Sequence, residues 1–163
     1  MTVRKPMVMG DDGLPQQLQS GDTISTTVLN TVNVRPFTSA ESSVAMPFGT
    51  PAYLTAADTG KRAQANAKAT GKVIGLVYDN SIAAGAAGNI ATDGIMVGTT
   101  AQWDAVAGTT GGLAFGALYF LDPVNPGKIT ATPPTTAGQV NTLIGSALST
   151  TELDLEIQPP ILL

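Results

Sequence analysis

The feature that most constrains this chain is an internal repeat at an offset of 67 residues. Each copy, about 48–77 and 115–148, reads as an aromatic strand, a Gly-Lys turn, a second strand, a loop and a strand ending in Ile-Gly. A duplicated β unit needs glycines at the same turns in both copies; shared Ala, Thr and Gly-rich composition is the alternative explanation. The matched positions are Phe48-Gly49 with Phe115-Gly116, Tyr53 with Phe120, Leu54 with Leu121, Gly60-Lys61 with Gly127-Lys128, Gly71 with Gly138, Val73 with Val140 and, after a further shift of three residues, Ile74-Gly75 with Ile144-Gly145.

Composition agrees with a β protein of one domain. The 163 residues are 43% hydrophobic and only 12% charged, with 18 Gly and 11 Pro, which favours many turns and excludes a charge-driven disordered chain. We therefore predict an all-β fold, a β-sandwich or small β-barrel built from the duplicated hairpin unit. Residues 46–163 form the predicted β domain, and residues 1–45 form an extended N-terminal arm whose Thr/Val/Asn-rich segment, 23–34, suits an edge strand.

Three local patterns give further structural predictions. Residues 62–69 alternate polar and small residues with a period of two, which favours a strand over the helix that propensity alone would allow. Trp103 to Val106 suits a short helical turn, with Trp103 covering one end of the core. From Glu152 onward, acidic and apolar residues alternate, which predicts a half-buried strand with an acidic outer face.

The absence of His and Cys restricts the chemistry of the chain. It removes the commonest general base, the commonest metal ligand and every thiol site, so we predict no enzyme activity, no metal and no cofactor. Asp58-Thr59-Gly60 matches the turn of aspartic proteases, but the second copy has Asn125-Pro126-Gly127, so only a homodimer could assemble the catalytic pair. A hairpin turn explains the motif without any catalytic role. Glu152, Asp154 and Glu156 share one strand face, a layout typical of a solvated surface.

Charge is distributed unevenly along the chain. The net charge is −4, yet residues 1–72 hold seven of the eight basic residues, while residues 73–163 hold one base and seven acids. Arg4-Lys5 and Lys61-Arg62 are the only adjacent basic pairs, too few to predict nucleic-acid binding. No apolar run reaches the roughly 18 residues of a membrane helix, and Met1 to Met9 lacks a signal-peptide core. The sequence predicts a soluble chain made in a cytoplasm.

Both ends of the chain are candidates for binding a partner. An extended arm cannot bury much of itself, so it is either mobile or ordered against another molecule. The apolar ending after Gln158 either folds back onto the core or docks on a neighbour. The candidate partner-binding residues are Arg4, Lys5, Leu14, Leu18, Asp22, Ile161, Leu162 and Leu163.

Several segments together resemble the small structural proteins of tailed bacteriophages. They are Arg4-Lys5-Pro6 to Gly21-Asp22-Thr23 with its Gln-Gln-Leu-Gln centre, Val73 to Leu76, Thr92-Asp93-Gly94, Gln102 to Val106, Gly111 to Leu113, Gly116 to Leu121, Gly127 to Thr130, Ile144 to Ser149 and the Pro-Pro-Ile-Leu-Leu ending. Relatives of this module serve as capsid decoration (cement) proteins and as parts of tail fibres, and none offers catalytic residues to carry over.

The resemblance implies a virion protein, made in the bacterial host, that stabilises the outer surface of a tailed-phage capsid. It would bridge neighbouring major capsid protein subunits and associate with itself, as a homotrimer rather than a dimer, with no nucleic-acid or membrane partner. The alternative is a tail component, a fibre, spike or attachment module that binds host glycan. That alternative predicts an exposed aromatic or carboxylate platform, with Trp103 and Tyr119 as candidates, although a core position for Trp103 is favoured.

Overall fold

The structure is a computed structural model that describes residues 7–9, 15–17 and 32–163. These residues form fifteen short strands and one helix, which confirms the predicted all-β fold. The elements are β1 (Met7–Met9), β2 (Pro15–Gln17), β3 (Asn33–Ser39), β4 (Met46–Pro47), β5 (Pro51–Ala56), β6 (Thr59–Arg62), β7 (Gly75–Val77), β8 (Ser81–Ile82), β9 (Ala87–Val97), α1 (Thr100–Ala107), β10 (Leu118–Leu121), β11 (Ile129–Thr130), β12 (Val140–Asn141), β13 (Leu143–Ala147), β14 (Glu152–Leu155) and β15 (Ile161–Leu162).

Nine strands form one mixed sheet in the order β11-β10-β13-β14-β9-β3-β6-β5-β7. Because β7 also pairs with β9, the strands β9, β3, β6, β5 and β7 close into a ring, a small five-stranded barrel. Ile90 and Ala91 of β9 pair with β3 on one side and with β7 on the other. The end of β9, from Gly94 to Val97, pairs with β14. Beyond β14 the sheet continues through β13, β10 and β11 as an open layer. Among the described strands, β3 and β6 form a parallel pair, and the other paired strands are antiparallel.

The two sequence copies use the same strand order, with the first strand between the other two. In the first copy β5 lies between β6 and β7, and in the second β10 lies between β11 and β13. Ala52 pairs with Gly75, and Tyr119 pairs with Gly145. Tyr119 follows Ala52 by 67 residues on the first strand, and Gly145 follows Gly75 by 70 residues on the third. These are the same two offsets that relate the two copies in the sequence. Matched positions on the first and third strands therefore face each other in both copies. The second strands are matched in order but not in register, because Tyr53 pairs with Lys61 whereas Phe120 pairs with Thr130.

The core has two parts. The smaller part fills the ring with side chains from four of its strands and from the β4–β8 pair: Phe37, Met46, Ala52, Val77, Ile82 and Ile90. The larger part lies under the open layer, where Tyr119, Leu121, Ile144, Leu153 and Leu155 pack with side chains of α1.

Helix α1 covers one end of the larger core. Thr99 caps its first turn by accepting from the Gln102 N–H at 3.2 Å, and the Gln102 side chain accepts in turn from the Thr99 N–H. Trp103 is fully buried, packs edge-on against Phe48 at 5.3 Å between ring centroids, and donates its indole N–H to the Thr151 carbonyl at 2.9 Å. The predicted short helix with a covering tryptophan is confirmed. β14, with Leu153 and Leu155 buried, confirms the half-buried strand.

The predicted strand over residues 62–69 is wrong. β6 ends at Arg62, and turns occupy residues 65–66 and 68–71. The alternation reflects close packing, because Ala63 and Ala65 are buried against the second copy. Ala65 donates to the Asp122 carbonyl and accepts from the Val140 N–H, both at 3.0 Å, so its hydrogen bonds go to two separate segments instead of one neighbouring strand.

The predicted N-terminal arm, residues 1–45, includes β3. That strand lies between β9 and β6, and its Phe37 and Ser39 are buried. Most of the predicted edge strand, residues 23–31, lies outside the described residues, as do residues 1–6, 10–14 and 18–22 of the arm. β1 and β2 form an antiparallel pair, with Val8 opposite Gln16.

Candidate interaction surfaces

The predicted anchor residues divide between the two ends of the chain. Arg4, Lys5, Leu14, Leu18 and Asp22 lie outside the described residues. Ile161, Leu162 and Leu163 are described and form an apolar strip on the surface. The C-terminal anchors are therefore the ones whose geometry bears on function.

The backbone of the C-terminal segment is hydrogen bonded to β12, but its side chains remain exposed. β15 pairs antiparallel with β12, the Leu163 N–H donates to the Gln139 carbonyl at 3.0 Å, and the Gly138 N–H donates to the Leu163 carbonyl at 3.0 Å. The Ile161 and Leu162 side chains nevertheless remain 63% and 62% exposed. A segment held by backbone hydrogen bonds with its apolar side chains in solvent is organised for contact with another surface.

Asp58, the acidic residue of the Asp-Thr-Gly motif, forms an ion pair beside its own hairpin. Asp58 lies at the tip of the β5–β6 hairpin with φ of 49°, a left-handed conformation that Asp tolerates, and its carboxylate pairs with Arg35. Within the described part of the chain, no group of three or more Asp, Glu, His or Cys side chains is placed to hold a metal ion. None of the described helices is both long enough and apolar enough to cross a bilayer.

Among the described residues, Glu41 and Asp104 have a lowered pKa, and each accepts hydrogen bonds from the backbone of another segment. Burial raises the pKa of Glu41, but hydrogen bonds from the Arg62 N–H at 3.0 Å and its guanidinium at 3.1 Å, with the positive charges of Arg62 and Lys61, bring it below the usual range. The pKa of Asp104 is lowered chiefly by the Gly112 N–H, and further by Gly111 and Thr109, despite some desolvation. Asp104 thus ties the loop after α1 to the helix.

The favoured core position of Trp103 is confirmed, and Tyr119 is buried as well, so neither residue provides the exposed aromatic platform considered for a tail component. Trp103 is fully buried, and Tyr119 is only 1% exposed. The Tyr119 hydroxyl accepts a hydrogen bond from the Ala114 N–H at 3.0 Å, so its polar group is also used inside the fold. Neither ring can stack on a sugar.

An open groove of about 440 Å³ lies between residues 122–125 and 130–139. Its one acidic side chain, Asp122, accepts from the N–H groups of Val124 at 2.6 Å and Asn125 at 2.9 Å. Two prolines and several threonines form the opposite wall. Because its carboxylate is already satisfied within its own loop, the groove has no convergent polar groups that would indicate a specific ligand.

A turn in the second copy presents the most exposed aromatic side chain among the described residues. Phe115 is 81% exposed at the centre of the turn 114–117. The Ala117 N–H donates to the Ala114 carbonyl at 3.0 Å, the Gly116 N–H donates to the Ala147 carbonyl at 2.8 Å, and Gly116 has φ of 74°. The turn is therefore fixed at three points, counting the bond from Ala114 to Tyr119, and holds Phe115 outward.

Apolar and acidic residues share the outer face of the sheet beside this turn. One cross-strand row runs from Leu148 through Glu152 to Val97, and the next from Leu118 through Ser146 and Asp154 to Ile95. Their alternation with buried neighbours places these side chains on one face. We call this area the Phe115 surface; it comprises Phe115, Leu118, Leu148, Val97, Glu152 and Asp154.

A second, smaller feature lies in the first copy. A depression of about 160 Å³ is bounded by Tyr53, Leu54, Ala69, Lys72 and Ile74, and we call it the Tyr53 depression. Lys61 pairs with Tyr53 across the β5–β6 ladder and is exposed, as are Lys68 and Lys72. Sequence reasoning missed both this depression and the Phe115 surface, although the basic first half and acidic second half were visible in the sequence.

Comparison with known proteins adds no relative. No protein-family model matches this chain. No curated protein matches it either.

Proposed function

We propose that this protein decorates the outer surface of a tailed-phage capsid and stabilises it by bridging neighbouring major capsid protein subunits. The observation that carries the proposal is the C-terminal strip, Ile161 to Leu163, which the backbone of β12 fixes in place while its side chains face solvent. The resemblance to small phage structural proteins points in the same direction. A β domain with apolar contact strips and no requirement for reactive groups suits a structural role.

The C-terminal strip offers contacts of two kinds. In an antiparallel pair, backbone groups alternate between the partner strand and the outside. Since Leu163 bonds to Gln139, the neighbouring Leu162 directs its N–H and carbonyl to the open edge of β15. Proline at positions 159 and 160 offers no N–H, so this edge is short. Apolar contact by the Ile161 and Leu162 side chains is therefore the main attraction, with one residue of strand pairing added.

Repetition on a capsid makes modest contacts sufficient. Many copies bound to a fixed lattice gain avidity, because each additional contact within an assembly is intramolecular. Contacts that span the boundary between two shell subunits oppose their separation when the packaged genome presses outward. In this proposal the predicted anchors Arg4, Lys5, Leu14, Leu18 and Asp22 supply a second attachment from the other end of the chain.

The test is co-sedimentation of the full-length protein with expanded, undecorated heads of the parent phage. We expect saturable binding in a fixed ratio to the shell protein. Ile161→Ser with Leu162→Ser should weaken binding by at least tenfold, and Leu14→Ser with Leu18→Ser tests the arm. Val124→Ser is the matched control, because Val124 is 71% exposed on a different loop. Absence of saturable binding by the unaltered protein would sink the proposal and move the tail-component alternative into first place.

A further inference from the structure

We propose that the Phe115 surface of one copy of this chain docks on the Tyr53 depression of a second copy. The contact joins two different surfaces, so it is head to tail. It concerns how copies associate with each other and stands whether or not the assembly binds a capsid.

The sizes of the two features match. The Tyr53 depression has a volume of about 160 Å³, and its wall includes the apolar parts of Tyr53, Leu54, Ala69 and Ile74. An apolar cavity of about 150 Å³ in another protein accommodates a benzene molecule. The phenyl ring of Phe115 therefore fits the depression as an anchor side chain fits a pocket.

The Phe115 turn is already organised for insertion. Its three hydrogen bonds, from Ala114, Gly116 and Ala117, fix the backbone before any partner arrives. Phenylalanine has only two side-chain torsions to order on binding, so most of the gain from burying its ring is retained. An aromatic side chain that is 81% exposed on a fixed turn has the properties of a binding anchor.

The charges around the two features are complementary. Glu152 and Asp154 lie on the Phe115 surface, whereas Lys72 is part of the Tyr53 depression, with Lys61 across the ladder from Tyr53. The asymmetry extends to the whole described region: residues 32–72 hold five basic and two acidic residues, and residues 73–163 hold one basic and seven acidic residues. Opposite fields of this kind orient two copies head to tail and disfavour like surfaces meeting.

A head-to-tail contact has a consequence for assembly size. After one contact forms, each pair still has one unused Phe115 surface and one unused Tyr53 depression. Further copies add until the arrangement closes into a ring or continues as a chain. We therefore expect association beyond the dimer, in agreement with the trimer that the sequence resemblance implies.

The test is sedimentation velocity of the full chain up to about 1 mM, with Trp103 fluorescence to confirm that each variant is folded. The unaltered protein should form species larger than a dimer. Phe115→Ser and, separately, Leu54→Glu should each weaken association by about 30-fold or more. Val124→Ser, which removes an exposed apolar side chain elsewhere, should leave it unchanged.

Mixing the variants distinguishes this contact from a general surface effect. Phe115→Ser keeps an intact Tyr53 depression, and Leu54→Glu keeps an intact Phe115 surface, so a mixture should form one-to-one dimers that grow no further. Lys72→Glu should weaken association, and adding Glu152→Lys should recover at least part of the loss.

Three outcomes would overturn the proposal. The first is a protein that stays monomeric to about 1 mM or stops at a dimer; the second is a Phe115→Ser variant that associates normally. The third is a mixture of the two variants that remains monomeric. If Phe115→Ser also lost binding to heads while self-association persisted, Phe115 would be assigned to a capsid contact instead.

Discussion

Phe48-Gly49 and Phe115-Gly116 are the same dipeptide at matched positions of the two copies, and the structure uses them in opposite ways. Both glycines adopt positive φ, 77° for Gly49 and 74° for Gly116. Phe48 is 5% exposed and packs against Trp103, whereas Phe115 is 81% exposed. Local sequence therefore sets the turn, and the surrounding structure sets whether its aromatic side chain is core or surface.

Helix α1 accounts for the difference. A Cβ added to Gly49 would lie 3.1 Å from the Trp103 ring, whereas one added to Gly116 would meet no described atom within 4 Å. The first turn is pressed against the helix, and no described element takes that place at the second. In the inferred contact, a second copy would bury Phe115 in the way that α1 of the same copy buries Phe48.

The largest contrast is expected when each phenylalanine is truncated. Phe48→Ala removes a buried ring from contact with Trp103 and should lower the free energy of unfolding by about 3 to 5 kcal/mol. Phe115→Ala removes an exposed ring and should change it by less than about 0.5 kcal/mol. Urea unfolding followed by the fluorescence of Trp103, the one tryptophan in the chain, measures both.

The measurement should be made at a protein concentration low enough for the monomer to predominate, since association would stabilise the unaltered protein through Phe115. Comparable losses for the two variants under that condition would contradict the assignment of Phe115 to the surface. A Phe115→Ala loss that appears only at high concentration would instead support the docking contact.

Local sequence patterns correctly predicted the elements whose structure depends mainly on residues close in the sequence. The alternation from Glu152 identified β14, and the segment around Trp103 identified α1, because each depends on neighbours one to four residues away. The repeat offsets placed Gly75 and Gly145 at matched ladder positions. These features could be predicted without knowing what packs against them.

The features that could not be predicted from the sequence depend on contacts between residues far apart in the chain. Closure of the ring depends on Ile90 and Ala91 pairing on both sides, which no local pattern records. Ala63 and Ala65 alternate as a strand would, yet hydrogen bond to the distant second copy. The Phe115 surface was missed for the same reason, because its dipeptide is identical to that of the buried Phe48.

The matched glycines on the third strand of each copy offer a sharper test of equivalence. A Cβ at Gly145 would lie 2.0 Å from the Asp154 carbonyl oxygen, and one at Gly75 would lie 2.6 Å from that of Ala91. Both obstacles are backbone atoms of the adjacent strand, so Gly145→Ala and Gly75→Ala should each cost about 2 to 3 kcal/mol, the former more. Thermal unfolding measures the losses.

Gly85→Ala is the matched control for that comparison. Gly85 has φ of 73° and no heavy atom within 4 Å of an added Cβ, so only backbone strain applies, at about 1 kcal/mol. If Gly85→Ala cost as much as Gly145→Ala, close strand approach would not be the reason for glycine at the matched positions.

The two copies also differ in how they secure their second strand. Arg62 of the first copy is bound to Glu41, whereas the residue 67 positions later, Ile129, is a buried apolar side chain. Glu41→Gln keeps an acceptor for the Arg62 N–H but removes the charge, and should lower the free energy of unfolding at neutral pH by about 1 to 2 kcal/mol. Urea unfolding at pH 7 and at lower pH measures this loss.

The direction of the pH dependence follows from the lowered pKa of Glu41. Its stabilising contribution is complete above the carboxyl pKa of the unfolded chain, about 4, and is lost as pH falls through the lower pKa of the folded state. The difference between Glu41→Gln and the unaltered protein should therefore shrink as pH falls below about 4. A difference that is the same at every pH would show that the carboxylate charge contributes nothing.

The smallest effect is expected at Asp104, which joins α1 to the loop that leads into the second copy. Its Oδ1 accepts from Gly112 at 2.7 Å and its Oδ2 accepts from Gly111 at 3.0 Å. Asp104→Asn replaces one of the two carboxylate oxygens by an NH₂ group, which cannot accept a hydrogen bond. The bond from the Gly112 N–H is the main cause of the lowered pKa of Asp104, so we expect the remaining amide oxygen to keep that bond. The Gly111 amide should therefore exchange its hydrogen faster than Gly112, while amides of the ring strand β3 keep their protection. Equally faster hydrogen exchange in β3 would mean that Asp104 supports the whole fold. Faster exchange confined to the loop after α1 would show that this loop opens independently of the barrel.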